Sequence, residues 1–353
     1  MRYKIFGRHT GLRVAEIALG AGMFGTGHGH GAEPEEARKI FDGYAQAGGN
    51  FIDTADVYQA GQSEALVGDF IAADRDHFVL ATKYTLGPDP KGGLSRTGNS
   101  RKNMIQSVEA SLRRLKTDRI DLYWVHMADG VTPIEEIARG FDELVRAGKI
   151  LYVGISDFPA WRVARAATLS ELRGWAPIAG LQIEYSLSER TAERELLPMA
   201  EALGLGTALW SPLGGGFLTG KYRSGEEGRL TSGSSLIHRE DGNQRSKTLD
   251  AVLAIAEEAG ATAAQVAIAW LRDKAARSST SLIPILGPRS RAQLDDTLGA
   301  LKLTLADEWV RRLNEVSAVP LGVPHEFLAG EGTSNAIAGG KLELFDLPKT
   351  PVA

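Results

Sequence analysis

The stretch "NFIDTADVYQ", Asn50–Gln59, decides how the chain is read. It opens as a buried strand, because Phe51 and Ile52 are bulky and apolar. Asp53, Asp56 and Tyr58 then follow where the strand runs out. Two carboxylates and a phenol at the end of an apolar strand point to a site built on strand ends.

Outward from this stretch the same unit recurs until about residue 300. Short apolar strands alternate with longer amphipathic segments. The strand candidates are "IALGAGM", "FIDTA", "FVLATKY", "IDLYWVH", "ILYVGIS", "AGLQIEY", "GTALWSPL" and "SLIPILG". Helix candidates between them include "EPEEARKIFDGYAQAGG" and "RKNMIQSVEASLRRLKT". "TPIEEIARGFDELVRAGK" carries its own punctuation: Thr132 as N-cap, Pro133 at the first helical position and a close at Gly148. Eight strands alternating with helices predict an α/β fold with a parallel sheet, as a closed (β/α)8 TIM barrel. An open doubly wound sheet is the alternative left by the pattern alone.

An N-terminal β-hairpin, "YKIFGRHTGLRVAEI", precedes the barrel. A long polar loop, Gly214–Ser246, follows strand seven. No Pro/Gly/Ser-rich linker divides the chain. Residues 1–317 are therefore expected as one barrel domain, and 318–353 as a C-terminal extension, an extra helix or tail, packing on it.

The 353 residues carry 43% apolar and 24% charged side chains, the balance of a globular protein with a substantial core. A net charge of −4 gives no reason to expect nucleic acid or an anionic membrane as partner. The absence of cysteine removes disulfides, thiolate metal sites and thiol nucleophiles. The start has no apolar run of signal-peptide length, and no stretch approaches the roughly 20 apolar residues of a membrane helix. A cytoplasmic location is expected.

Three motifs are weighed and set aside. "GAGMFG", Gly20–Gly25, matches G-x-G-x-x-G, but the helix signal begins only near Pro34, whereas a dinucleotide fingerprint opens its helix directly. "GGFLTGKY" has Tyr222 where a P-loop needs Ser or Thr for magnesium, so nucleotide hydrolysis is rejected; Lys221 still suits a phosphate. His28 and His30 lack a third ligand, and no metal is expected.

In a barrel the active site lies at the C-terminal strand ends. There the sequence offers Asp53 and Tyr58 after strand two, Lys83 on strand three and His126 after strand four. A phenol ordinarily has a pKa of about 10, too high for efficient proton transfer at neutral pH. An ammonium lowers it, a carboxylate holds the ammonium, and a histidine orients a carbonyl oxygen. Asp56 is read as fixing the loop. The set amounts to a device for protonating a carbonyl oxygen, and hydride from a bound cofactor would complete the reaction at carbon. Trp210 offers a stacking platform, and Arg289 and Arg291 offer phosphate contacts after strand eight.

At these residues the sequence resembles the aldo-keto reductase superfamily, from about residue 3 to residue 317. "GGNFIDTADVYQAGQSEALVG", "LATKY" and "SVEASLRRLKTDRIDLYWVH" are similar to its signatures. The resemblance implies a catalytic tetrad of Asp53, Tyr58, Lys83 and His126, with Tyr58 as proton donor. It also implies an NAD(P)H site without a Rossmann fingerprint. By motif, Ser156, Asp157 and Gln182 fall at the carboxamide. Trp210 falls on the nicotinamide face. Ser211, Leu213, Gly215, Gly216 and Lys221 fall over the pyrophosphate. Gly287, Arg289, Gln293 and Asp296 fall in the adenosine-phosphate pocket. Asp157 and Asp296 stand where Asn is usual in the family. Lys221 and Arg289 favour NADPH over NADH.

The function expected is NADPH-dependent, reversible reduction of aldehydes or ketones to alcohols. Two alternatives stand beside it: an NADPH-binding redox-sensing subunit resembling potassium-channel accessory proteins, and a Schiff-base aldolase using Lys83. A substrate pocket is expected around Phe24, His28, Tyr84, Trp124, Met127 and Trp161, with His325 and Phe327 of the tail as further candidates. The substrate itself, the preferred direction and the oligomeric state are not legible.

Overall fold

A computed structural model describes residues 1–89, 91–224 and 243–347. Most of the loop expected after strand seven (225–242) and the end of the tail (348–353) lie outside the described residues. β1 (Tyr3–Ile5) and β2 (Arg13–Ala15) pair antiparallel, with Tyr3 opposite Ala15. Eight strands then form a closed parallel barrel: β3 (Ala18–Gly20), β4 (Phe51–Asp53), β5 (Val79–Tyr84), β6 (Ile120–Val125), β7 (Ile150–Ser156), β8 (Ile178–Glu184), β9 (Gly206–Trp210) and β10 (Leu282–Leu286). They are neighbours in chain order, and β10 closes on β3 by pairing Ile285 with Ala18. The (β/α)8 TIM barrel with its N-terminal hairpin is therefore the fold, and the open sheet is set aside.

Helices α1 (Pro34–Gln46), α2 (Gln62–Ile71), α3 (Arg101–Leu115), α4 (Ile134–Arg146), α5 (Ala160–Arg173) and α6 (Leu196–Ala202) connect successive strands up to β9. α7 (Gln244–Ala259) and α8 (Ala263–Arg277) lie between β9 and β10. α9 (Arg291–Leu298), α10 (Asp307–Val316) and the short α11 (His325–Ala329) and α12 (Glu331–Ile337) complete the order. No single helix among the described residues is long and apolar enough to cross a membrane. At α4 the expected cap differs. The helix starts at Ile134, and Thr132 turns back to Asp129, donating from N and Oγ1 at 2.9 and 2.6 Å. Pro133 therefore stands at the cap position, with no side-chain cap bond, and Thr132 lies one residue outside the helix start.

Every residue of β5 and β6 is buried, because helices cover the outside of the barrel and side chains fill its inside. The inner set includes Phe51, Val79, Ala81, Leu122, Trp124 and Ile283. Phe6, brought in by the hairpin, plugs the N-terminal end. Its ring meets Phe51 and Trp124 edge-on at 5.7 and 6.2 Å. Two glycines make room for these rings. A Cβ on Gly180 would lie 2.4 Å from Phe6, and one on Gly154 would lie 2.2 Å from Trp124. With that end filled, the cavity described below lies at the other.

Outside the barrel, Glu64 on α2 ties three elements together. It accepts from Thr82 Oγ1 on β5 and from Arg114 Nε on α3, both at 2.6 Å. Asp56 is buried near this pair, and neither of its oxygens has a hydrogen-bond partner among the described residues. Burial, followed by repulsion from Glu64, raises its carboxyl to about 7. The backbone amides of Val57 and Gly87 also act on the carboxylate and lower its pKa, though by less than burial and Glu64 raise it. The native state thus holds a proton that the unfolded chain releases near pH 4, and stability falls as pH rises from about 4 to 7. Asp56→Asn is expected to flatten that slope in urea unfolding measured from pH 4.5 to 8. Equal slopes in the variant and the parent would show that Asp56 is ionised throughout.

Candidate active site

The C-terminal strand ends bring the sequence-predicted tetrad together. Lys83, fully buried on β5, donates from Nζ to Asp53 Oδ2 at 2.5 Å, to Thr54 O at 2.9 Å and to the Tyr58 hydroxyl at 3.2 Å. All three ammonium hydrogens are thereby used. Burial opposes the charge on Lys83, but Asp53 and Tyr58 outweigh it and leave the ammonium above its ordinary range. Asp53 Oδ1 accepts from Gln182 Nε2 at 2.9 Å. His126 follows β6, and its ring stands edge-on to Tyr58 with centroids 5.8 Å apart. Burial first, and Lys83 second, push its imidazole down to about 3. It is therefore neutral at working pH and carries one N–H.

Tyr58 owes its place to a sharp turn. Gln59 and Ala60 after it adopt left-handed φ values of 51° and 55°, unusual without glycine. Gln59 holds the turn. It is buried, donates to Gly22 O at 3.1 Å and accepts from His28 N at 3.0 Å. The sequence reading missed Gln59, although it closes the stretch that decided the fold. Gly22 faces the Tyr58 ring, which a Cβ there would meet at 3.5 Å. The glycine-rich first loop thus packs on the turn, and α1 begins only at Pro34.

A cavity of about 1610 Å³ opens at this end, above the 300–1,000 Å³ usual for a small-molecule site. Asp53, Tyr58, Gln182 and Trp210 line one part of it. Ser211, Leu213, Gly215, Gly216 and Lys221 line it too, as do Gly287, Arg289, Gln293 and Asp296. Ser156 and Asp157 stand beside it: Ser156 Oγ lies 3.4 Å from Asp157 Oδ2, and Trp210 Nε1 donates to Asp157 Oδ1 at 3.0 Å. Asp296 accepts from Thr262 Oγ1 at 2.8 Å and Gln265 Nε2 at 3.0 Å, which fasten α9 to the start of α8. Arg291 pairs with Asp295 at 2.8 Å and does not line the cavity.

This donor set suits an extended dinucleotide. Gly214, Gly215 and Gly216 run consecutively at φ 57°, 65° and 93°, so the backbone can approach a ligand that side chains would exclude. The guanidinium of Arg289 is exposed at the cavity and has no partner among the described residues. Among those residues no cluster of three His, Cys, Asp or Glu is placed to hold a metal ion.

Most residues expected around the substrate lie away from the cavity. Phe24, Tyr84 and Trp124 are fully buried and line no part of the cavity. Phe24 packs on Phe70 of α2, Tyr84 stacks on Tyr123 beneath α4, and Trp124 fills the barrel. Trp161, 67% exposed, and half-buried Met127 also lie off the cavity wall, as do His325, which pairs with Glu195, and the exposed Phe327. His28 does line it, with Met23 and Thr26, which sequence reasoning did not single out.

The profile of the Aldo/keto reductase family matches residues 16–318. The norsolorinic acid reductase of Aspergillus flavus is 35% identical over 92% of this chain and 84% of its own length. An aryl-alcohol dehydrogenase [NADP(+)] of Phanerodontia chrysosporium is 37% identical over 93% of this chain and 90% of its own. The uncharacterised oxidoreductase YrpG of Bacillus subtilis is 37% identical over 93% of this chain and all of its own length. With the profile covering nearly the whole barrel, the chain belongs to the aldo/keto reductase family and is an oxidoreductase.

Proposed function

We propose that this enzyme reduces aldehydes or ketones to alcohols with NADPH, reversibly, with Tyr58 as the proton donor. The observation that carries the reading is the Lys83 ammonium shared between Asp53 and the Tyr58 hydroxyl beside the cavity. NADPH when bound supplies hydride to the carbonyl carbon. The rest falls to the chain's own groups. The neutral His126 donates a hydrogen bond that orients the carbonyl oxygen near Tyr58. Tyr58 gives up its proton as charge grows on that oxygen. Lys83 stabilises the phenolate left behind, and Asp53 keeps Lys83 charged and in place. Lys83 serves the phenol in this reading and is no free amine for a Schiff base.

The cofactor choice rests on Arg289 and Lys221, which both line the cavity and would give a 2′-phosphate charge-assisted partners. Ser156, Asp157 and Gln182 would hold the carboxamide, and Trp210 the ring face. Ser211, Leu213, Gly215 and Gly216 would cover the pyrophosphate, and Gly287, Gln293 and Asp296 the adenosine. The names of two relatives, one for an aryl alcohol and one for norsolorinic acid, favour an aryl carbonyl compound as substrate. A small-molecule substrate and a cytoplasmic location complete the reading.

Tyr58→Phe is expected to lower turnover by about 10² to 10⁴ with cofactor affinity retained. The check is a panel of aryl aldehydes and ketones followed by NADPH absorbance; unchanged turnover removes the phenol from the mechanism. Arg289→Ala is expected to weaken NADPH roughly tenfold while leaving NADH nearly unchanged, narrowing the gap between them. Equal loss for both, in fluorescence titrations, would place the 2′-phosphate elsewhere.

A further inference from the structure

Asp157 is a carboxylate in an unusual position. It follows the last residue of β7 at φ 49°, in the left-handed region, and so is held by its surroundings. Its backbone is pinned on both sides: its N–H donates to Gln182 O at 3.1 Å and its carbonyl accepts from Ala128 N at 3.4 Å. Its Oδ1 accepts from the indole Nε1 of Trp210 at 3.0 Å, and Ser156 Oγ lies 3.4 Å from Oδ2. The carboxylate is thereby tied to the ring that lines the cavity beside Tyr58 and Gln182.

An amide oxygen would accept the same indole bond. What Asp157 adds over a neutral acceptor is charge. The nicotinamide ring is cationic when oxidised and neutral when reduced, so a fixed negative charge behind its platform acts on one redox form only. We infer that Asp157 positions Trp210 and, through its charge, makes the site favour the oxidised cofactor over the reduced one, which makes the bound cofactor a stronger reductant and favours hydride transfer to the carbonyl. The inference rests on the reading that a nicotinamide cofactor stacks at Trp210.

The charged groups around Asp157 set its working range. Lys83 faces it from β5, but that ammonium is already matched by Asp53; Glu184 on β8 opposes its ionisation. His126, after β6, is neutral over the range concerned. The residue is exposed to solvent, yet neighbouring protein crowds its carboxyl. That crowding is the largest cause raising its carboxyl to about 6, against the hydrogen bond from Trp210. It is thus mostly charged at pH 8 and mostly neutral near pH 5. A cationic ring favours the charged form and a neutral ring does not, so the bias toward the oxidised cofactor grows as pH rises through about 6. The 2′-phosphate also titrates near pH 6, but both cofactors carry it and its effect cancels in the ratio.

The test is direct binding, by quenching of tryptophan fluorescence, of NADP+ and of NADPH between pH 5.5 and 8, with the parent enzyme and Asp157→Asn. The ratio of the NADPH to the NADP+ dissociation constant is expected to rise about three- to tenfold with pH in the parent. In Asp157→Asn it is expected to stay flat at the low-pH value, with both cofactors still bound because the indole keeps its acceptor. The pH course of the parent alone carries the test should the variant not fold. A parent ratio independent of pH, or the same rise in Asp157→Asn, overturns the inference while leaving the cofactor reading intact. A parent that binds neither cofactor overturns both.

Discussion

The ion pair between Lys83 and Asp53 is the constraint on which the site depends. Lys83 is among the largest fully buried side chains of the chain, and Asp53 is 3% exposed. An ammonium in such a place is tolerated only with a matching charge and full hydrogen bonding. Both conditions are met on adjacent strands, since β4 and β5 pair in register with Asp53 opposite Ala81, two residues before Lys83. The third donor of Lys83 then has one place left to go, the Tyr58 oxygen. Removing either partner strands a buried charge, a cost of about 3–5 kcal/mol. The residues proposed for chemistry are thus also residues the fold cannot lose cheaply.

Much of this was legible because barrel strands end where polar groups begin. All eight strands were readable as apolar runs, several of them closed by Asp, Lys, His, Ser or Gln, and the tetrad was readable from the same ends. The pocket aromatics were not, and the reason is physical. In a parallel barrel both faces of a strand are buried, so no alternation tells inward from outward. Tyr84 and Trp124 pair with neighbouring strands at similar heights, yet Tyr84 points to the helices and Trp124 into the barrel. Phe24, in the first loop, turns its ring to α2.

Turn geometry was equally hidden. Gln59 and Ala60 are not residues that announce left-handed backbone, and their conformation follows from contacts with the first loop, distant in sequence. The glycines of that loop, which superficially spell a nucleotide motif, serve close approach instead. A Cβ on Gly27 would lie 2.3 Å from the Gln59 carbonyl oxygen. Two loops fitted this tightly hold Tyr58 as one unit, as its proposed role of proton donor requires.

Asp53 and Asp56, three residues apart, show how little residue type decides by itself. Both are nearly inaccessible to solvent. Asp53 ends a strand and faces Lys83, so its negative charge is matched and held. Asp56 lies beyond the strand end, beside a second carboxylate, Glu64, whose oxygens already take the donors of Thr82 and Arg114. Burial and repulsion from Glu64 raise the Asp56 carboxyl to about 7. The carboxylates of one short stretch are driven to opposite charge states by which side of the barrel wall each one meets. A charged Asp53 matches the buried ammonium of Lys83, and a protonated Asp56 lessens the repulsion at Glu64.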